Sequence, residues 1–135
     1  VNEALKAFPE EVRVVAEPGR YLVAEAGVLV SAVTQTKGKG QVQYVGVSTG
    51  MNSLIRPALY GAYHEIANLS RWGEPATQVV TIVGPICESG DRLGTDRLLP
   101  KCTEGDVLAI ANAGAYGFVM SSRYNLREPA VEIAI

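Results

Sequence analysis

Neither sign of charge dominates this 135-residue chain: 12 Lys and Arg stand against 14 Asp and Glu, for a net charge of -2. That near-balance excludes a partner captured by charge alone, whether nucleic acid or a membrane surface. Cysteine is scarce. Cys87 and Cys102 are the only two, too few for a disulfide scaffold or a four-cysteine metal site, and a reducing cytoplasm is the expected compartment. His64 is the single histidine, so a relay or metal set built on two histidines is excluded. Apolar runs such as residues 79–83 fall far below the roughly 20 residues that cross a bilayer, and no charged-then-apolar leader opens the chain. The expectation is a soluble, unexported protein. What the chain does have is 47% hydrophobic residues, enough for one domain around one core that buries roughly two thirds of the unfolded surface.

The segment 1–8 carries apolar residues at Val1, Ala4, Leu5 and Phe8, spaced as one helical face and stopped by Pro9. A short β-branched run over 12–16 follows and ends in the turn signal Glu17-Pro18-Gly19. Helix, strand and turn in that order match the last unit of an α/β barrel, so residues 1–25 are expected to close such a barrel and the chain to be a piece of a longer polypeptide. Beyond Arg20 the character changes. Strands are expected over 27–37, 41–49, 77–84, 106–112 and 130–135, with a hairpin turn at Lys37-Gly38-Lys39-Gly40. Short helical turns are allowed over 51–63 and 113–120. Residues 26–135 therefore predict a mainly β unit, a closed or partly closed barrel.

Four clusters set chemically active side chains beside turn residues, where they escape the core. In Glu17-Pro18-Gly19-Arg20, glycine lets a ligand approach the backbone, exposed amides suit a phosphate and Arg20 can fork onto a carboxylate or phosphate. A surface turn with a solvated arginine is the plainer alternative. Arg56 and Tyr60 lie four residues apart, so one helical turn points both the same way, either to hold a carboxylate or merely to stack. Cys87-Glu88-Ser89-Gly90-Asp91 gathers a thiol, a hydroxyl and two carboxylates in one loop; the thiol can exchange a proton and Glu88 can pair with an ammonium, although an isolated cysteine is more often inert. Tyr116 sits among small residues in Ala113-Gly114-Ala115-Tyr116-Gly117, as where a ring or phosphate comes close, or simply in a tight turn. His64 reads as structural.

Taken in order, Glu17-Pro-Gly-Arg20, Gly50-Met51-Asn52, Arg56-Pro-Ala-Leu-Tyr60, Gly84-Pro-Ile-Cys-Glu-Ser-Gly-Asp91, Gly105-Asp106 and Ala113-Gly-Ala-Tyr116-Gly117 resemble the C-terminal part of the diaminopimelate decarboxylases. These are pyridoxal-phosphate enzymes of the alanine racemase and ornithine decarboxylase structural group. The resemblance covers nearly the whole chain, and it implies a Greek-key-type β-barrel domain behind the end of a cofactor-binding α/β barrel. It also implies a homodimer with shared active sites. By the same resemblance the turn of Glu17, Gly19 and Arg20, with Tyr116, holds the cofactor phosphate; Arg20, Arg56 and Tyr60 bind substrate carboxylates; Cys87 is the acid near the reacting carbon. Glu88 would grip the substrate's distal ammonium, and both Cys87 and Glu88 would reach into the partner subunit's site.

The chemistry of a meso-diaminopimelate substrate, with two carboxylates and two ammonium groups, suits cationic forks and one acidic partner. The family's cofactor-bearing lysine has no counterpart here, since Lys6, Lys37, Lys39 and Lys101 match no such motif, and the 135 residues alone are expected to be inactive. The chain departs from the family at Ser48-Thr49, where an acidic residue usually precedes Gly-Met-Asn, a departure that fits a subgroup fused to an aspartate kinase. Two rivals stand beside this reading: a related decarboxylase with another amino-acid-like substrate, and a non-catalytic binding β-barrel. An alanine racemase is weaker, because it needs a differently placed tyrosine.

Overall fold

The computed structural model describes residues 2–8 and 13–135. Two short helices, α1 (Asn2–Leu5) and α2 (Arg56–Tyr60), accompany six strands: β1 (Leu29–Lys39), β2 (Val42–Val47), β3 (Ile66–Asn68), β4 (Gln78–Val83), β5 (Arg92–Leu99) and β6 (Val107–Ile110). The strands form one sheet in the order β3-β6-β1-β2-β4-β5. All neighbours are antiparallel except β2 and β4. The edge strands β3 and β5 pack against each other without pairing, which leaves the barrel nearly closed. Among the described residues, no helix is long and apolar enough to cross a membrane.

β1 does the work of two strands. Its first half pairs with β6, from Leu29 opposite Ile110 to Ala32 opposite Val107, and its second half pairs with β2 from Val33 opposite Val47 to Lys39 opposite Val42. The register shifts between Val33 and Gln35, and such a bulge bends a strand sharply enough to turn a barrel corner. The expected hairpin is present, with Gly40 at φ +62 supplying the left-handed turn residue. The core lies inside the curl: Val33, Val45, Val47, Leu54, Ile66, Val80, Ile82, Leu93, Leu99, Leu108 and Ile110 are all buried.

Several local expectations are corrected. Residues 13–16 form no strand, and Val12 and Pro9 lie outside the described residues; the helix expected over 1–8 is confined to α1. The alternating tail 130–135 joins no strand among the described residues: Ala130 N donates to Ser53 Oγ at 2.8 Å, and Val131 and Ile133 stand exposed. A period-2 pattern makes a strand only where an edge receives it. The alternation of Val42, Gln43 and Tyr44 at the start of β2 does not select the core either: Val42 is exposed, whereas the consecutive Val45, Gly46 and Val47 are buried, because the side chains of Gln35 and Thr34 cover Gly46. β5 was hidden by Gly94 and by Asp96 at φ +52, which interrupt its apolar pattern at irregularities in the β4 pairing. β3 is only three residues long.

A buried carboxylate ties the halves together. Asp106 accepts hydrogen bonds from Asn68 Nδ2 (3.0 Å), Thr103 N (2.9 Å) and Arg71 Nε (3.4 Å), while its carbonyl accepts from Val33 N at the β1 bulge (2.7 Å). Burial pushes the Asp106 carboxyl up, but the bonds from Asn68 and Thr103 and the charge of Arg71 outweigh it and hold it below the usual carboxylate value. A carboxyl depressed in the fold stabilises fully above its unfolded value of about 4, and that stabilisation drains away as pH falls through the lower folded value. Asp106→Asn is expected to lower stability at pH 6 by about 1–3 kcal/mol and to flatten the acid limb below pH 4. Urea unfolding followed by circular dichroism checks this; an unchanged acid limb would refute the assignment.

Candidate functional site

The site begins at a turn that only glycine suits. Gly19 has φ +44 and opens a 3-10 turn, Gly19–Leu22, which carries Arg20 into solvent. A Cβ placed on Gly19 would stand 3.8 Å from the Tyr116 hydroxyl, so the phenol stands against the open side of the turn. Tyr116 is itself strained, a bulky residue at φ +58, and such conformations cluster at functional sites. Its small neighbours serve the backbone rather than a ligand: a Cβ on Gly114 would fall 2.1 Å from Val23 O, and one on Gly27 2.5 Å from Gly114 Cα. Ala113 N and Gly114 N donate to Gly27 O (2.8 Å) and Ala24 O (3.0 Å). This close packing of two chain segments brings Tyr116 to the Gly19 turn.

α2 supplies the third piece. Pro57 in its first turn and Gly61, a left-handed cap at φ +62, bound the helix to five residues. Helical spacing sets the Arg56 guanidinium 5.6 Å from the Tyr60 ring centroid, and it also lies 6.0 Å from that of Tyr116. Arg20, Arg56, Pro18, Tyr63, His64 and Asn112 help to line a cavity of about 470 Å³, within the size range of small-molecule sites. Glu17 precedes the turn and is exposed; Glu17, Gly19, Tyr60 and Tyr116 are not among the residues that line this cavity.

His64 is buried, as a structural residue should be, and its Nδ1 donates to Ala111 O at 2.8 Å. That bond fixes the proton on Nδ1 and leaves Nε2 without a protein partner. Tyr63 is a lining residue that the sequence did not single out. Its hydroxyl donates to Glu65 Oε2 at 2.5 Å and Arg97 lies 3.8 Å over its ring; the hydrogen bond to Glu65 pushes the phenol above its ordinary value, so it stays a neutral donor.

Cys87 and Glu88 stand elsewhere. Both are exposed on the loop between β4 and β5, and neither lines the cavity with Arg20 and Arg56. Glu88 accepts from Gly90 N (3.2 Å) and from Tyr124 Oη (3.5 Å), which leaves its carboxylate at the surface. Cys102, by contrast, is in the core, where burial pushes its thiol up. At the family departure, Ser48 and Thr49 are absorbed locally: Ser48 Oγ lies 3.0 Å from Ser31 Oγ, and Thr49 N donates to Ser31 Oγ at 3.2 Å.

The pyridoxal-dependent decarboxylase family model, for its C-terminal sheet domain, matches residues 20–114. This chain belongs to that family. The diaminopimelate decarboxylase of Archaeoglobus fulgidus is 50% identical over 119 residues, which is 88% of this chain and 28% of that one. Among solved structures, AQ1208 from Aquifex aeolicus superposes with a TM-score of 0.81 at 43% identity, covering 96% of this chain and 31% of its own. Diaminopimelate decarboxylase from M. jannaschii, in complex with L-lysine, gives 0.78 at 42% identity, covering 95% and 29%. This chain thus spans about three tenths of the length of such relatives. Its mainly β, nearly closed barrel is the fold of that domain.

Proposed function

We propose that this chain is the C-terminal part of a diaminopimelate decarboxylase, which converts meso-2,6-diaminopimelate to L-lysine and CO2 in the cytoplasm as a homodimer with shared sites. The observation that carries the reading is that Arg20 and Arg56 line one cavity, while the Arg56 guanidinium stands 6.0 Å from the Tyr116 ring and the Tyr116 hydroxyl faces the Gly19 turn, in a chain 50% identical over 119 residues to a diaminopimelate decarboxylase.

The residues fit pyridoxal phosphate on their own chemistry. The cradle at Gly19 lacks a Cβ and faces the Tyr116 hydroxyl, so amide and phenol donors stand ready for a phosphate. When bound, the cofactor supplies the sink for the electron pair left as CO2 departs. The chain's own residues do the rest. Arg20 and Arg56 fork onto substrate carboxylates, with Tyr60 adding a hydroxyl and a ring that steadies Arg56. Glu88 of one subunit takes the distal ammonium in the other subunit's site, and Cys87 beside it delivers a proton from Sγ to the carbon that lost CO2.

The purified full-length protein with pyridoxal phosphate is expected to release CO2 from meso-diaminopimelate and to leave lysine, ornithine and arginine nearly untouched. Faster turnover of any of those three overturns the substrate assignment and favours the related-decarboxylase alternative.

A further inference from the structure

We propose that Asp91 is a positioning residue that sets the reach of Cys87, an inference resting on the role given to that residue above. The loop between β4 and β5 closes on itself through Gly84 N to Asp91 O (3.1 Å), Asp91 N to Glu88 O (3.1 Å) and Glu88 N to Ile86 O (2.8 Å). Both exposed functional side chains ride on it. Those backbone bonds fix the loop's shape but not its attachment to the barrel.

The Asp91 side chain makes that attachment. It is buried, 3% exposed, and its two oxygens divide their work: Oδ2 accepts from Ile86 N at 2.8 Å, one residue before Cys87, and Oδ1 accepts from Met51 N at 2.6 Å, on the turn that leads to α2. One carboxylate therefore joins the Cys87 loop to the segment that carries Arg56. The space around it is shaped for it. A Cβ on Gly84 would lie 2.3 Å from Oδ2 and one on Gly50 2.3 Å from Oδ1, so these two glycines wall a slot that the carboxylate fills.

Both partners are N–H donors, which requires a group that only accepts. No Lys or Arg among the described residues forms an ion pair with Asp91. A buried carboxylate with no cation is costly to keep, and a hydrophobic residue could fill the slot without that cost. What an apolar side chain cannot do is hold two backbone amides of different segments at fixed distances. Asparagine, nearly identical in shape, would turn an amino group toward one of the two amides.

The test is a double-mutant cycle on the full-length holoenzyme. Asp91→Asn is expected to lower kcat by about a hundredfold, the scale of a displacement of roughly 1 Å in a reacting group. KM should change little, and the melting temperature should fall to the same small extent whether or not Cys87 is present, because one buried amide is left unpaired. In a Cys87→Ala background the same substitution should cost less than about threefold, because the group it positions is gone; a merely stabilising role predicts equal losses in both backgrounds. Equal losses, or wild-type kcat in Asp91→Asn, overturn the proposal. Asp91→Ser, with one acceptor in a smaller side chain, carries the same cycle if the asparagine variant does not fold, and failure of both to fold makes Asp91 a stability residue and refutes the positioning role. Should Cys87→Ala keep full activity, the reading of Cys87 fails instead. The rate of Cys87 alkylation by iodoacetamide, located by peptide mapping, then decides for Asp91: a change of more than about threefold in Asp91→Asn supports control of the loop, and an unchanged rate overturns it.

Discussion

Arg56→Ala in the full-length enzyme is expected to reduce kcat/KM for diaminopimelate by about 10²–10⁴, most of it through KM. A guanidinium fork makes two charge-assisted hydrogen bonds to a carboxylate, each contributing about 1.5–3 kcal/mol, and every 1.4 kcal/mol is about tenfold. The distance of 5.6 Å to Tyr60 and of 6.0 Å to Tyr116 adds a second consequence, since removal of the cation frees both rings. Arg56→Lys keeps the charge but loses the fork and is expected to fall between the two. Steady-state kinetics measures both. A lysine variant as impaired as alanine would show that geometry, not charge, is what the site uses, whereas an alanine variant within threefold of wild type would remove Arg56 from the site.

At diaminopimelate well below the wild-type KM, full-length subunits carrying Arg56→Ala and subunits carrying Cys87→Ala are each expected to be nearly inactive, yet to recover about a quarter of wild-type activity when mixed and allowed to exchange. The separation of Cys87 from the cavity of Arg20 and Arg56 in one copy motivates this. In a two-fold dimer with shared sites, a mixed pair places both lesions in one site and none in the other. Half of the dimers are then mixed, and each has one intact site. Titrating one variant into the other under exchange conditions gives the measurement. Activity that stays at the background of the separate variants would mean that each site is built within a single subunit.

The motifs were legible because their residue types are rare and their turns need glycine or proline: Gly19, Gly61 and the Pro57 start of α2 all occupy positions that demand them. The hairpin was legible for the same reason. β5 was not, because Asp96 at a positive φ and a break in pairing at Val80 and Ile82 destroy the alternation that a strand normally shows. The tail beyond Ala130 failed in the opposite way, presenting alternation with no edge to receive it. In the site, the sequence pointed to Cys87 and Glu88 but gave no sign that Asp91, four residues past the thiol, bonds a turn 40 residues earlier. Tyr63 and Arg97 met for a similar reason: their contact depends on how β5 crosses behind α2, which no local pattern encodes. Cavity lining is a property of the closed barrel, and a single stretch of sequence cannot express it.

The double pairing of β1 also constrains the order of events at the ribosome. Its first half has no strand partner until β6, which begins at residue 107, has left the exit tunnel. Synthesis runs from the N-terminus, so the amides and carbonyls of residues 29–31 wait, open to water or to a chaperone, while some seventy further residues are added. His64 waits for the carbonyl of Ala111, and the Gly19 turn for Tyr116. The Gly19 turn, Arg20 and Tyr116 thus come together only after β6 has emerged and the barrel can close.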